Sequence, residues 1–344
     1  MISSHKIILG FIVALIAFSL IRRIDNRQVI IWLNVFSPTT DLNKGIDIVL
    51  YNSESDSLGF NIESFNLELD VIQTFGPKSI IINININEDI SHIKEDVENE
   101  KTNNIILPVN TQGTSLTYSK NFVFDSVTFG HNIVNPIHKL TMNNYEIFNG
   151  DTIPSMALAS VGIENPKLYQ EILKKNKTSY LKFAGTQIDD FNYVDNVLEF
   201  YSSLEMLKSI VKNKTVIIGD FSYPQTEDNS YIINDQYAIH KSIMLANAVY
   251  TLKTGLIETS LLVDIVALFI AIASIIIISR KTQRRLIRYL IFTLWLASMI
   301  LINSISLVNL DYYIRVDAIL GASLAFIIFL EIFSIINNRK INSN

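Results

Sequence analysis

The chain has no cysteine, so no disulfide staples it and no thiol can serve as nucleophile or metal ligand. Arginine is missing from the whole of residues 28–258, where 16 lysines against 28 aspartates and glutamates leave a balance of −12 in a chain whose total is −5. A stretch this acidic lacks the basic face that neutralises phosphates, which argues against nucleic acid as a partner and against adhesion to anionic headgroups. The sequence also has no nucleophile elbow, no Walker-type glycine loop, no Gly-x-Gly-x-x-Gly and no metalloprotease helix. Serines and aspartates are plentiful but follow no signature spacing, so the expectation is a non-enzymatic protein without cofactor or metal. Internal repeats and low-complexity segments are absent as well.

Apolar runs are what the chain does have. They occupy residues 7–21, 261–279, 289–308 and 316–336, each near the roughly 20 residues that cross a bilayer core of about 30 Å. Backbone groups in lipid must pair internally, so each run is expected to be a transmembrane helix. The first is short enough to be a secretory signal peptide. Its small-x-small triplet, Ala17-Phe18-Ser19, lies inside the run, however, and Arg22-Arg23 follow, which favours an uncleaved anchor. The short connection 280–288 carries Arg280, Lys281, Arg284, Arg285 and Arg288, and such loops stay cytoplasmic. Four spans then leave residues 22–260 outside and both termini inside. Arg22, Arg23 and Arg27 lie on the opposing side of the first span and are outweighed by the loop.

The expected organisation is therefore an anchor at 1–24, an extracytoplasmic domain at 25–258, a three-helix membrane region at 259–338 and a cytoplasmic tail at 339–344. Within the large domain, "IDIVLYN" (46–52), "SIIININI" (79–86), "IILPVN" (105–110), "SYLKFAG" (179–185) and "KTVIIG" (214–219) read as strands. Helices are expected at 62–75, 88–101, 154–163, 166–176, 202–211 and 235–255. Gly76-Pro77 ends the first of these, and Asn165 caps the one that Pro166 opens. Residues 111–150 read as loops with short antiparallel strands. Strands alternating with helices predict an α/β fold, a parallel or mixed sheet covered by helices, beside a four-helix transmembrane region.

The order of these pieces resembles the CHASE2 family, a bacterial extracytoplasmic sensory module with one transmembrane helix before it and three after it. "IDIVLYNSES", "LDVIQTFGPKSIIININI", "DTIPSMALAS", "VLEFYSSLEMLKSIVKNKTVIIGDF" and "YAIHKSIMLANAVYTL" carry the resemblance, which spans nearly the whole chain. It implies a multi-pass protein of the bacterial cytoplasmic membrane. In that family the last span is commonly joined to a cyclase or kinase. This sequence ends at Asn344, so the output domain is expected on a separate signalling or membrane-complex protein. The departures lie at the strand ends, where the family typically has aspartates and this chain has Asn52 and the run Asn83, Asn85, Asn87. Its middle segment lacks the family's Asp-Gly turn, and Ala238 and Lys241 flank His240 where the family favours Gly and Ala. A structural or docking subunit of a larger envelope complex is the alternative these departures leave open.

Ligands gather beyond the carboxyl ends of parallel strands, so the loop after Gly219 is the expected pocket. Its candidates are Asn52, Asn85, Asp220, Asp228, Asp235 and His240. The aspartates match no calcium loop, and a solvated acidic loop is the plainer reading. His240, beside a buried stripe, is read as bonded to a strand end or as a pH-sensitive contact. Asn83, Asn85 and Asn87 present three amides on one strand face, for a polar ligand or for cross-strand bonds. In the membrane, Asn303, Gly321, Ala322 and Ala325 are expected at helix contacts, because small residues let backbones approach and an amide bonds across helices. Asp264, Asp317 and Glu331 are expected near helix ends, where water reduces the cost of their charge.

Overall fold

The computed structural model describes residues 4–23, 47–53, 62–83, 104–109, 128–131, 141–148, 150–175, 178–185, 187–195, 204–219, 221, 230–234, 237–256, 260–282, 284–310 and 314–342. They divide into two compact units, Pro38–Leu256 on one hand and Met1–Ser37 with Ile257–Asn344 on the other. The expected helix at 88–101 and residues 111–127 of the expected loop region 111–150 lie outside the described residues.

The first unit is α/β. Its six-stranded sheet is built from β1 (Ile48–Asn52), β2 (Ser79–Ile82), β3 (Ile105–Val109), β4 (Thr128–His131), β9 (Asn192–Asp195) and β10 (Thr215–Gly219). The strand order is β4-β3-β2-β10-β1-β9, and every pairing is parallel. All five residues of both β1 and β10 are buried, the mark of parallel strands covered on both faces, which is why they appear in the sequence as unbroken apolar runs.

Alternation along these strands sorts the core into two layers. Val49, Tyr51, Ile80, Ile82, Val216 and Ile218 pack on one face against Phe65, Leu69 and Ile72 of α2 (Ile62–Thr74) and Leu207 and Val211 of α5 (Leu204–Val211). Ile48, Leu50, Ile81, Ile106 and Ile217 face the other way, against α3 (Met156–Glu164) and α6 (Lys241–Thr254). Each such side chain contributes about 1.5–3 kcal/mol on leaving water, so a one-residue slip of any central strand would exchange the two sets and is strongly disfavoured.

Local chemistry sets the helix ends. Gly76, at φ +69°, closes the turn after α2 in a conformation that side chains resist, and Asn213 (φ 59°) donates its N–H to the Gly76 carbonyl at 3.0 Å. Ser155 caps α3 by accepting from the Leu158 N–H at 3.1 Å, and Asn165 accepts from the Leu168 N–H in the first turn of α4 (Pro166–Lys175). Two expected boundaries are corrected. The helix placed at 235–255 starts only at Lys241, because Tyr237–His240 is strand β12, paired antiparallel with β11 (Ser230–Asn234). The strand placed at 179–185 is confined to β8 (Thr178–Tyr180), which pairs with β5 (Thr141–Asn143) rather than joining the main sheet. A further hairpin joins β6 (Tyr145–Phe148) to β7 (Asp151–Pro154).

The second unit contains α1 (Ser4–Arg23), α7 (Leu261–Lys281), α8 (Arg285–Leu310) and α9 (Val316–Asn342). Two helical stretches among the described residues, Leu261–Lys281 and Val316–Phe333, are long and apolar enough to cross a membrane, with shorter apolar stretches at Ile7–Ile21 and Ile287–Asn303. Ala14, Phe18, Leu268, Ala271, Ile275, Ile319, Ala322 and Phe326 form the unit's internal contact.

Candidate functional site

The carboxyl ends of the central strands bring together side chains from five separate parts of the first unit. Asn52 ends β1 in register with Gly219 of β10 on one side and Asp195 of β9 on the other. Its amide donates to Asp195 Oδ1 at 2.7 Å, and its carbonyl oxygen accepts the Phe221 N–H at 2.8 Å. The side chain thus ties an edge strand to the loop leaving β10. Tyr193 donates to the same Asp195 oxygen at 3.2 Å, so that carboxylate accepts from two neutral donors.

The Phe221 ring sits between two others. It lies 4.6 Å from the imidazole of His240 and meets Tyr193 edge-on at 5.9 Å. His240, only 7 % exposed, is the N-cap of α6, its Nδ1 accepting the Ser242 N–H at 3.1 Å. An imidazole that accepts at Nδ1 has Nε2 left as its other ring nitrogen. Ser242, in the first turn of α6, accepts from the amide of Asn83 at 3.0 Å. The Ser242 hydroxyl lies so close to Gly219 that a Cβ there would stand 2.3 Å from Oγ. Glycine is what lets α6 approach the end of β10.

Of the six candidates in this region, Asn52 and His240 belong to one cluster, linked through Phe221. Asn85, Asp220, Asp228 and Asp235 lie outside the described residues. Among the described residues no three His, Asp or Glu side chains converge as metal ligands. Asp195, Tyr193, Phe221 and Ser242 were not expected here. Tyr193 and Asp195 sit in the short run "NYVD", whose polar composition carries no strand signal that would have placed them here.

Three further devices hold α6. Asn247, fully buried, accepts from the Ala184 N–H at 2.6 Å and donates to the Gly185 carbonyl at 2.8 Å, while Thr251 accepts from the Lys182 N–H at 2.8 Å. At the far end of the helix, Lys253 forms an ion pair with Glu164 Oε2 at 2.8 Å and donates to Thr215 Oγ1 at 2.6 Å. Glu164 Oε1 accepts from Thr215 at 2.6 Å and from Ser79 at 3.1 Å. Burial raises the proton affinity of this carboxyl, but the bonds from Lys253 and Thr215, the Lys253 charge and the Ser79 hydroxyl more than offset it and hold Glu164 below the usual carboxylate range.

In the helical unit, Asn303 of α8 is 1 % exposed and accepts the Ile314 N–H at 3.0 Å. Asp264 of α7, also buried, accepts the Arg315 N–H at 3.0 Å, and Arg315 pairs with Asp317 at 2.9 Å. These two acceptors therefore tie α7 and α8 to the segment that starts α9. Asp264 and Asp317 lie in the first turns of their helices, whereas Glu331 lies within α9 and pairs with Arg288 of α8. Gly321 faces α1, where an added Cβ would stand 2.1 Å from Ile21 Cδ1; Ala322 is fully buried and Ala325 half-buried.

No family model, no curated protein and no solved structure matches this chain.

Proposed function

We propose that the chain is a non-enzymatic, sensor-type membrane subunit. Its acidic α/β unit, CHASE2-like in the order of its elements, stands outside the bacterial cytoplasmic membrane, and all four apolar helices span that membrane. It detects a ligand or partner and passes the change to a separate output protein. One observation carries this reading: the loop leaving β10 is bolted at Phe221 to Asn52 and to the ring of His240, and His240 caps α6, the last helix before the membrane-length helix α7. A ligand that moves this loop would disturb the N-cap of α6, and in the sequence only residues 255–260 separate α6 from α7. Two states that the ligand binds unequally are needed, since equal binding shifts nothing.

The test is recovery of the chain in detergent at native expression, with and without residues 220–235. The sensor reading expects a signalling protein, a kinase or cyclase, to come down with both forms, and its output to stop responding in the shortened one. Loss of the partner itself on deletion would instead make the loop a docking surface of a structural subunit. Recovery of the chain alone would refute the proposal. A reporter at Thr226 active only in the cytosol would refute the orientation on which it stands.

A further inference from the structure

The opposite end of the sheet holds a feature that the sensor reading does not use. Beside the Glu164–Lys253 pair, at the amino ends of β2 and β10, lies a pocket of about 390 Å³ lined by Lys78, Val161, Ile163, Glu164, Leu168 and Lys253. We propose that this pocket is a binding site for a small amphipathic monoanion, a carboxylate carried on a short hydrocarbon chain.

Size comes first. The volume is near the lower end of ligand pockets, and at the roughly 30 Å³ that a water-sized group occupies it admits about a dozen non-hydrogen atoms.

Charge decides the next point. Lys253 is compensated by Glu164 at 2.8 Å, whereas the exposed Lys78, among the described residues, meets no carboxylate. Among the described residues the lining therefore carries one uncompensated positive charge, which suits a monoanion and leaves a dianion half unbalanced. Lys253 spends two of its three N–H donors on Glu164 and Thr215, so one remains for a ligand oxygen. Asn165, also on the rim, uses its carbonyl oxygen on the Leu168 N–H and keeps its amide donors.

The walls supply the remainder. Val161, Ile163 and Leu168 present hydrocarbon and no hydrogen-bonding side chain, so the part of the ligand away from the anion must be apolar. Thr215 and Ser79 donate to the Glu164 carboxylate from behind, and Ser160 holds the Ser79 hydroxyl at 2.7 Å, which keeps the charged rim in place before anything binds. None of these residues belongs to the cluster around Asn52 and His240, so the proposal stands or falls apart from the sensor reading.

The experiment is calorimetric titration of sodium hexanoate into the full chain in nanodiscs of zwitterionic lipid, with empty nanodiscs subtracted. One saturable site with a Kd on the order of 1 mM is expected, as the efficiency of small ligands allows, and 1-hexanol should bind at least about tenfold more weakly for want of the charge. Lys78→Ala should weaken hexanoate about tenfold and Lys78→Glu should abolish binding, because the single free cation is lost or reversed. Lys78 is exposed, so both variants are expected to fold, which circular dichroism checks. Leu168→Ala should weaken hexanoate more than it weakens acetate. Absence of a saturable site, equal binding of hexanol, or wild-type affinity in Lys78→Glu would each overturn the proposal.

Discussion

Replacing Lys253 by methionine tests the reasoning about α6 most directly. The change keeps the length and apolar stem of the side chain and removes one charge. It leaves Glu164 still facing Thr215 and Ser79, its side chain 12 % exposed, with no cation opposite. Removing one partner of a fully buried pair costs about 3–5 kcal/mol. Lys253 is 20 % exposed in its side chain and water can reach the rim, so about 2–3 kcal/mol is expected here. Hydrogen exchange in the intact chain reads this locally. The amides of β10 and β1 should exchange about 30 to 150 times faster, since every 1.4 kcal/mol is tenfold and the central strands open by the largest fluctuations. The double variant Glu164→Met with Lys253→Met should return to within about 1 kcal/mol of wild type, because the cost lies in the orphaned charge rather than in the lost pair. Acid supplies a second readout. A carboxyl whose folded pKa is lowered contributes stability that is present above its unfolded value, near 4.5, and is lost as pH falls through the folded value. Wild type should therefore lose β10 protection below about pH 4.5 by a step that the double variant lacks. A single variant that exchanges like wild type, or a double variant as fast as the single one, would refute the account.

Other positions give further tests. Gly219→Ala places a methyl 2.3 Å from Ser242 Oγ and should lower stability by about 1–3 kcal/mol in thermal melts, with partial recovery on adding Ser242→Ala. Asn247→Leu strands the Ala184 N–H and the Gly185 carbonyl in the core and should cost about 3 kcal/mol or more, whereas Thr254→Ala at the exposed end of α6 should change the melt by less than about 0.5 kcal/mol. Gly321→Leu should separate α1 from α9, and Ile21→Ala in the same chain should restore part of the loss, read as detergent resistance of a crosslink engineered between the two helices in this cysteine-free protein.

How far the sequence could be read depends on the element. "IDIVLYN" and "KTVIIG" showed as strands because both faces of a central parallel strand are apolar, and no partner need be known to see that. The four residues of β9, "NYVD", gave no such signal: the strand is short, at the sheet's edge, and buries only Val194 fully. The start of α6 was misplaced for a related reason. Ile239 and Ile243 are four apart and fit one helical stripe, yet pairing with β11 holds Ile239 in an extended strand. The stretch 181–185 has the apolar character of a strand but takes its backbone partners from Asn247 and Thr251, side chains more than 60 positions away. At the candidate site, Asn52 stood out as a polar strand end, but its partner Asp195 is 143 positions along the chain.

The amino-acid sequence by itself determined which segments favour burial and which favour water: the apolar runs and two-faced strands on one side, and the acidic, arginine-free stretch's charges on the other, follow from transfer free energies that each residue carries wherever it is placed. Only the tertiary structure decided that β10 enters between β1 and β2, so that Asn52, Asp195, Phe221 and His240 meet at one end of the sheet and Glu164, Thr215 and Lys253 at the other. Strand order is a choice among pairings between distant segments of nearly equal apolar character. That choice rests on how the helices fill both faces at once, which no local pattern encodes.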